Sequence, residues 1–215
     1  MSTPSNFISI LALLGIVATT STLAAETKKP THTHSHTADD IYKGIFDDAQ
    51  IQPRPLSDWA GDWQSVYPLL QNGNLDDVMR HKAEHGQKTF DEYKAYYSTG
   101  YATDVDRILF QGDTATFFRK GGSVQGQYED DGFEVLTYDS GRRGVRFVFQ
   151  KVGGDPDAPD FFQFSDHKIA PEPSDHYHLY WGDDRAALLK ELTNWPTYFP
   201  ASLTPAEISA QMQAH

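Results

Sequence analysis

Residues 165–178 hold the densest group of side chains that could bind a metal ion. Residues two apart on a β-strand point to the same face of the sheet, so His176 and His178 should project together. His167 ends the preceding predicted strand, and a proline-rich connector would bring it back beside the pair. Three imidazoles on one side of a hairpin can form a zinc site with an open fourth position. The alternative interpretation is three unrelated histidines on a polar rim of the protein.

Two aspartates, Asp166 and Asp175, flank these histidines in the sequence. Histidines that bind metals usually donate their second ring N–H to a carboxylate or carbonyl oxygen. We therefore expect the two carboxylates to orient the rings. The chain contains no cysteine, which excludes disulfides, thiolate zinc sites, iron–sulfur clusters and a cysteine nucleophile. Any bound metal must be held by histidine nitrogen or by oxygen.

A second group of histidines, His32, His34 and His36, alternates with other residues near the N-terminus. The surrounding residues 26–40 are polar and lack apolar periodicity, so they are predicted to be a disordered tether. Mobile histidines can bind zinc, copper or nickel weakly, because the ligands are close but not pre-organised. We interpret the group as an auxiliary site for metal capture; the alternative is a solvated linker that happens to be rich in histidine.

Residues 1–25 are predicted to be a signal peptide. Residues 7–18 form an uncharged apolar run of twelve, which is shorter than the roughly 20 residues that a membrane-spanning helix needs. The run matches the central region of a secretory signal, with cleavage predicted near Ala24 or Ala25. The mature protein is therefore expected to be exported, without membrane attachment. The alternative is an uncleaved N-terminal anchor.

The composition limits the kinds of partner that the protein can have. A chain of 215 residues suits one globular domain, which we place at residues 41–215. Lys and Arg total 18 and Asp and Glu total 30, so the formal net charge is −12. This acidic balance argues against binding nucleic acid or an anionic membrane surface. It is typical of a soluble protein that attracts cations.

Two kinds of element must position the histidines. Residues 56–98 are predicted to form short helices in a row, one of them starting near Thr89. Between residues 105 and 181, seven short runs rich in β-branched and aromatic residues alternate with glycine-containing turns. They predict an antiparallel meander that closes into a small barrel and so protects its edges. Helices are predicted again at 183–192 and 204–212. The fold class is therefore mainly β with added helices (α+β).

Other candidate sites are weaker. His81 and His85 are four residues apart in a predicted helix, but no third ligand is evident, and the sequence between them is not that of zinc proteases. We interpret this pair as part of a solvated helix face. Residues 155–160 are rich in Asp and Pro, yet they lack the Gly and bidentate Glu of a calcium-binding EF-hand loop. We interpret them as an ordinary loop.

Several stretches spread over the chain resemble the ZinT (YodA) family of periplasmic zinc-binding proteins. They are IFDDA (45–49), LSDW (56–59), WQSVYPLL (63–70), GYATD (100–104), LTY (136–138), QFSDH (163–167), HYH (176–178) and NWPTY (194–198). Because they occur in order from about residue 41 to the C-terminus, the resemblance is specific. It implies a lipocalin-like (calycin) barrel with added helices, which binds zinc and also cadmium.

The resemblance also assigns roles to residues. The family's three histidine ligands fall on His167, His176 and His178, and its histidine-rich N-terminal stretch falls on residues 32–36. Family members look like helpers of the zinc-binding subunit of an ABC zinc importer. Some members carry a cysteine pair that joins two strands, and this chain lacks it. The metal site does not depend on that cross-link.

The sequence thus predicts an exported, monomeric zinc-binding protein of zinc homeostasis, which captures and delivers zinc in support of an importer and is not an enzyme. Two other functions remain open. Three histidines and a water molecule are also the zinc–hydroxide arrangement of a hydratase or hydrolase. Other calycin barrels carry small apolar ligands in their interior, and this chain could do the same.

Overall fold

The computed structural model describes residues 36–214. The predicted signal peptide and most of the predicted tether, including His32 and His34, lie outside the described residues. The described chain forms a closed antiparallel barrel in which the strands follow one another in sequence order and β1 pairs with β8. The strands are β1 (Gly61–Ser65), β2 (Val105–Gln111), β3 (Thr114–Arg119), β4 (Gly122–Thr137), β5 (Arg143–Gly154), β6 (Phe161–Ser165), β7 (Tyr177–Gly182) and β8 (Thr197–Pro200). The predicted barrel with added helices is confirmed.

Strand number and boundaries differ from the prediction in three places. β1 lies within the region predicted to be helical, and β8 is a short strand that the sequence pattern did not indicate. Two of the seven predicted strands, residues 124–128 and 133–138, are in fact the two halves of β4. The glycine-containing segment between them is a bulge and not a turn. The β4–β5 register shifts between Asp130 and Phe133, and Gly132 has a φ of 82°. Such an irregularity bends a strand without ending it.

Aromatic side chains fill the interior of the barrel. Trp59, from a 3₁₀ turn at Leu56–Trp59, stacks on Phe164 with ring centroids 4.1 Å apart. The other large inward-facing side chains, each less than 2% exposed, are Phe110, Phe117, Phe147, Phe149, Phe162 and Tyr177. Burial of this much aromatic surface is a main source of stability. It also uses the space in which other calycins carry an apolar ligand.

The helices pack on the outside of the barrel and build a second apolar cluster there. They are α1 (Ala38–Tyr42), α2 (Tyr67–Gln71), α3 (Asp76–His85), α4 (Phe90–Tyr101), α5 (Arg185–Leu188) and α6 (Pro205–Gln213). The second cluster joins α2, α3, α4 and α6 to Phe199 on β8. Thr89 and Glu92 form a capping box at the start of α4, as the sequence predicts. Within residues 36–214, no helix is long and apolar enough to cross a membrane.

Close packing fixes α4 against the loop before β8. Gly100, near the end of α4, leaves room for the indole of Trp195, and a Cβ atom at residue 100 would collide with that ring. The Trp195 backbone N–H donates a hydrogen bond of 2.6 Å to the Gly100 carbonyl. The Asn194 side chain donates to the same carbonyl at 3.0 Å. This contact holds α4 over the face of the barrel that carries the histidines.

Candidate metal site

The β6–β7 hairpin brings the three predicted histidine ligands together. His167 lies two residues after β6, His176 lies directly before β7, and His178 lies within β7. Tyr177, between the last two, points into the barrel and is fully buried, so its neighbours point outward. The ring centroids are 6.0 Å apart for His167 and His176, 5.7 Å for His167 and His178, and 6.2 Å for His176 and His178.

The ring separations are close to those of three imidazoles bound to one zinc ion. Zinc–nitrogen bonds of about 2.0–2.1 Å at tetrahedral angles place imidazole centroids roughly 5 Å apart. The observed separations exceed this by about 1 Å, a difference that small rotations about the side-chain torsions remove. Neutral imidazole nitrogens suit zinc, copper and nickel. A tetrahedral ion held by these three side chains would keep its fourth position open.

His167 has a backbone conformation that is rare outside glycine, with a φ of 62°. The preceding Asp166 holds this turn: it is buried, and it accepts hydrogen bonds from Arg54 Nη1 at 2.7 Å and Trp59 Nε1 at 3.1 Å. It also accepts from the Lys168 backbone N–H at 3.3 Å. Asx turns of this kind accommodate left-handed residues. The turn aims His167 at the other two rings.

The expected role of the flanking aspartates is therefore wrong. The carboxylate of Asp166 binds the buried Arg54 guanidinium and does not reach a ring of the triad. Asp175 pairs with Lys168 at 3.0 Å. Both carboxylates therefore have cationic partners. The sequence pattern does not reveal the partner of Asp166, because Arg54 is 112 residues away from it. They stabilise the loop that carries the ligands.

Thr197 on β8 performs the orienting role for His178. Its Oγ1 lies 2.8 Å from His178 Nδ1, and its hydroxyl donates to the Trp195 carbonyl at 3.0 Å. A hydroxyl has one hydrogen, so Thr197 must accept from Nδ1–H of His178. The ring is therefore held in the tautomer whose Nε2 lone pair is free for a metal. Sequence reasoning missed Thr197, because its strand was not predicted.

The environment keeps His178 uncharged. Burial lowers the pKa of His178 well below 6.5, and the positive charges of His167, His176 and Arg146 lower this pKa further. The other two rings pack on aromatic groups: His176 is parallel to Phe199 at a centroid distance of 5.1 Å, and His167 lies 4.3 Å from the Tyr42 ring. The packing limits the rotation of each ring and favours pre-organised ligands.

The three rings face a cavity of about 230 Å³ on the outer side of the barrel. Its wall is largely aromatic and comes from α1, α3, α4, α6 and β8, through Tyr42, Lys82, Tyr96, Tyr97, Tyr101, Trp195, Thr197, Phe199 and Met212. A second cavity of about 320 Å³ shares His167 and His178 and also has Arg146 in its wall. Metal could reach the histidines from this outer side without opening the barrel.

The other histidines considered as metal ligands in the sequence lie in the N-terminal group and on α3. His36 is the one member of the N-terminal group that is described, and its Nε2 lies 3.8 Å from the Asp47 carboxylate. On α3, the expectation that His81 and His85 lack a third ligand is wrong, since Glu84 brings a carboxylate oxygen within 4.8 Å of both. Glu84 and His85 are exposed, and His85 Nδ1 donates to the His81 carbonyl at 2.8 Å.

A closed eight-stranded barrel with three imidazoles on its outer face defines a lipocalin-like protein with a candidate metal site. Residues 37–215 match the model of one family, described as ZinT (YodA) periplasmic lipocalin-like zinc-recruitment. The chain belongs to this family, and the resemblance seen in the sequence is confirmed.

Proteins with similar sequences are named as metal-binding or zinc-binding proteins. The chain is 55% identical over 176 residues to a probable metal-binding protein, YrpE, of Bacillus subtilis, covering 81% of this chain and 70% of that protein. It is 48% identical over 180 residues to the zinc-binding protein AdcA of Streptococcus pyogenes serotype M1, again covering 81% of this chain but 35% of AdcA. The chain thus spans about a third of the length of AdcA.

A solved structure shows the same barrel. The Zn(II)-bound ZinT-like domain of Streptococcus pneumoniae AdcA is 43% identical to this chain and superposes with a TM-score of 0.77. The match covers 80% of this chain and 97% of that domain. The similarity to AdcA is therefore a similarity to its ZinT-like domain.

Proposed function

We propose that the protein binds zinc through His167, His176 and His178 and serves zinc homeostasis by capturing and delivering the ion. The convergence of the three rings carries this proposal, because their separations are close to those that one zinc ion requires. Thr197 and the low pKa of His178 support it by keeping a lone pair available. The net charge of −12 attracts cations over a longer range.

The cellular setting is part of the same proposal. The family description contains the words periplasmic and zinc-recruitment, and one relative is a zinc-binding lipoprotein of Streptococcus pneumoniae. We propose that the chain is exported, that its signal peptide is cleaved near Ala24 or Ala25, and that it acts as a monomer. Its proposed partner is the zinc-binding subunit of an ABC zinc importer. Cadmium, which also accepts imidazole ligands, is a second proposed metal.

A binding role explains the site better than catalysis does. The relatives described above are named as metal-binding or zinc-binding proteins. A hydratase or hydrolase would need a free general base beside the metal-bound water. The two carboxylates closest to the triad in sequence, Asp166 and Asp175, are paired with Arg54 and Lys168. A carrier of apolar ligands is disfavoured because aromatic side chains fill the barrel.

The N-terminal histidines His32, His34 and His36 are proposed to assist capture. Three imidazoles so close in sequence raise the local concentration of zinc ligands and so the chance that zinc is captured. We expect their affinity to be low, since the composition of residues 26–40 does not predict a fold that would pre-organise them. The main site should therefore keep its affinity without them.

Zinc titration of single variants tests the proposal. His167→Ala, His176→Ala and His178→Ala each leave two imidazoles, so the zinc affinity should fall at least about tenfold, the equivalent of about 1.4 kcal/mol. Isothermal calorimetry in competition with a chelator measures this change. His81→Ala on α3 is the matched control, and it should leave the tight site intact. Unchanged tight binding in all three triad variants would place the site elsewhere.

A further inference from the structure

Arg146 is a buried cation whose hydrogen-bonding groups are only partly used. It lies in β5, is 1% exposed, and its guanidinium carbon lies 3.4 Å from the centroid of the Tyr180 ring. Nε and Nη1 of Arg146 are buried and have no hydrogen-bond partner. Buried charges in proteins are normally paired, since an uncompensated one is strongly unfavourable. The position of Arg146 therefore points to a missing anion.

The cavity of about 320 Å³ beside Arg146 is positively charged. The other cations in its wall already have partners: Arg142 donates to the Tyr42 carbonyl, Arg143 to the Phe46 carbonyl, and Lys168 pairs with Asp175. The single carboxylate in the wall, that of Glu191, accepts a hydrogen bond from the Asp139 backbone N–H at 2.8 Å. Among the cations described in this wall, Arg146 is therefore the one for which Nε and Nη1 donors remain unpaired.

The cavity also adjoins the metal site. His167 and His178 belong to its wall together with Arg146. Along the barrel, the β5–β6 ladder pairs Phe147 with Phe164, and the β6–β7 ladder pairs Ser165 with His178. Arg146 and His178 therefore lie at the same level of the barrel on the outer face, with β6 between them.

We propose that this cavity binds a small carboxylate or carbonate anion at Arg146, next to the zinc site. Zinc held by three neutral imidazoles keeps its two positive charges, and the guanidinium adds a third. A planar anion with two oxygens can accept hydrogen bonds from the guanidinium fork and also balance the charge of the metal. The coupling to metal rests on the proposed zinc site, whereas the anion pocket itself depends only on Arg146 and its cavity.

Acetate is a suitable probe of the pocket. In saturation-transfer NMR on the metal-free full chain, the methyl signal of acetate should show transfer from wild-type protein and little from Arg146→Gln. Arg142→Gln, which removes the same charge from the same wall, is the matched control and should retain transfer. Arg146→Lys retains the charge without the fork and should bind acetate more weakly than wild type. Equal transfer to wild type and Arg146→Gln, or none to wild type, would overturn the proposal.

A second measurement tests the coupling to zinc. At constant ionic strength in perchlorate, added acetate should tighten wild-type zinc binding, measured by chelator competition, by about tenfold, the scale of a charge-assisted contact. The effect should disappear in Arg146→Gln and persist in Arg142→Gln.

Tight zinc binding that acetate leaves unchanged would overturn only the proposed coupling between the anion and zinc. A failure of the wild type to bind zinc would instead contradict the proposed function, and the NMR result on metal-free protein would still decide the anion pocket. The absence of acetate binding to the wild type overturns the proposal without reference to any variant.

Discussion

Replacing Thr197 by valine tests how the fold prepares His178, one of the proposed zinc ligands. Valine has nearly the same shape as threonine but no hydroxyl. Thr197→Val therefore removes the acceptor 2.8 Å from His178 Nδ1 and the donor 3.0 Å from the Trp195 carbonyl. The His178 ring could then carry its proton on either nitrogen, and part of the population would present a protonated Nε2 to the metal. Thr197 is 2% exposed, so water cannot easily replace the lost group.

The size of the effect follows from these contacts. Loss of a hydrogen bond that orients a metal ligand typically lowers metal affinity by about 10–100-fold, which corresponds to roughly 1.4–2.8 kcal/mol. The variant also leaves the buried Nδ1–H and the Trp195 carbonyl without this partner, at a cost of about 1–3 kcal/mol in folding stability. Zinc affinity and stability should therefore both decrease.

Two measurements separate these effects. Competition with a chromophoric chelator gives the zinc affinity, and long-range ¹H–¹⁵N NMR of the imidazole reports the tautomer of His178. Thr197→Ser, which retains the hydroxyl, should behave nearly as the wild type in both. If Thr197→Val binds zinc as tightly as the wild type and His178 keeps its proton on Nδ1, then Thr197 does not orient this ligand and the reasoning is refuted.

Four further predictions concern proton release, the pH dependence of stability, the N-terminal histidines and the packing of α4. Burial lowers the pKa of His178 well below 6.5, so this ring stays neutral in the metal-free protein at pH 6. Three ordinary histidines with a pKa of about 6.5 would be roughly three-quarters protonated at that pH and would release about 2.3 protons on binding zinc. Zinc binding should therefore release clearly fewer protons, as calorimetry in buffers of different ionisation enthalpy would show, and a release of about 2.3 or more would contradict the burial of His178. The same depressed pKa means that the unfolded state binds the proton more readily, so the stability of the metal-free protein should fall as the pH drops through about 6.5, as urea unfolding would show. Replacing His32, His34 and His36 by Gln should reduce the zinc stoichiometry or the capture rate while the tight site is retained, and a titration unchanged in both respects would make this segment a plain linker. Gly100→Ala should lower the melting temperature, because the new methyl group collides with the Trp195 ring and such overpacking costs about 1–3 kcal/mol of folding stability. Thr99→Ala, at the exposed neighbouring position, is the control. An unchanged melting temperature for Gly100→Ala would show that the ring can move away.

The sequence predicts those parts of the site that depend on local periodicity. His176 and His178 share a face because alternate residues of a strand do so, and the start of α4 follows from the Thr89–Glu92 capping box. These features need information from only a few neighbouring residues.

Features that depend on contacts between distant segments were missed. Thr197 reaches His178 through pairing of β7 with β8, and β8 is only four residues long and ends in a proline. Asp166 meets a guanidinium 112 residues away, so its partner could not be inferred from its own surroundings. The β4 bulge at Gly132 has the same composition as a turn, and only the pairing with β5 distinguishes the two.

The placement of all three imidazoles on one hairpin has a consequence for folding. They lie within twelve consecutive residues, 167–178, whereas closing the barrel requires Trp63 to pair with Pro200. Short-range contacts form faster than contacts between distant parts of a chain. The unfolded polypeptide therefore already holds the three proposed ligands close together in sequence. We expect zinc to associate with them before the first and last strands meet. Metal binding to the unfolded chain offsets part of the stabilisation of the native state. The rise in melting temperature with zinc should therefore reflect the difference between the binding free energies of the folded and unfolded chains. That difference measures how far folding pre-organises the hairpin.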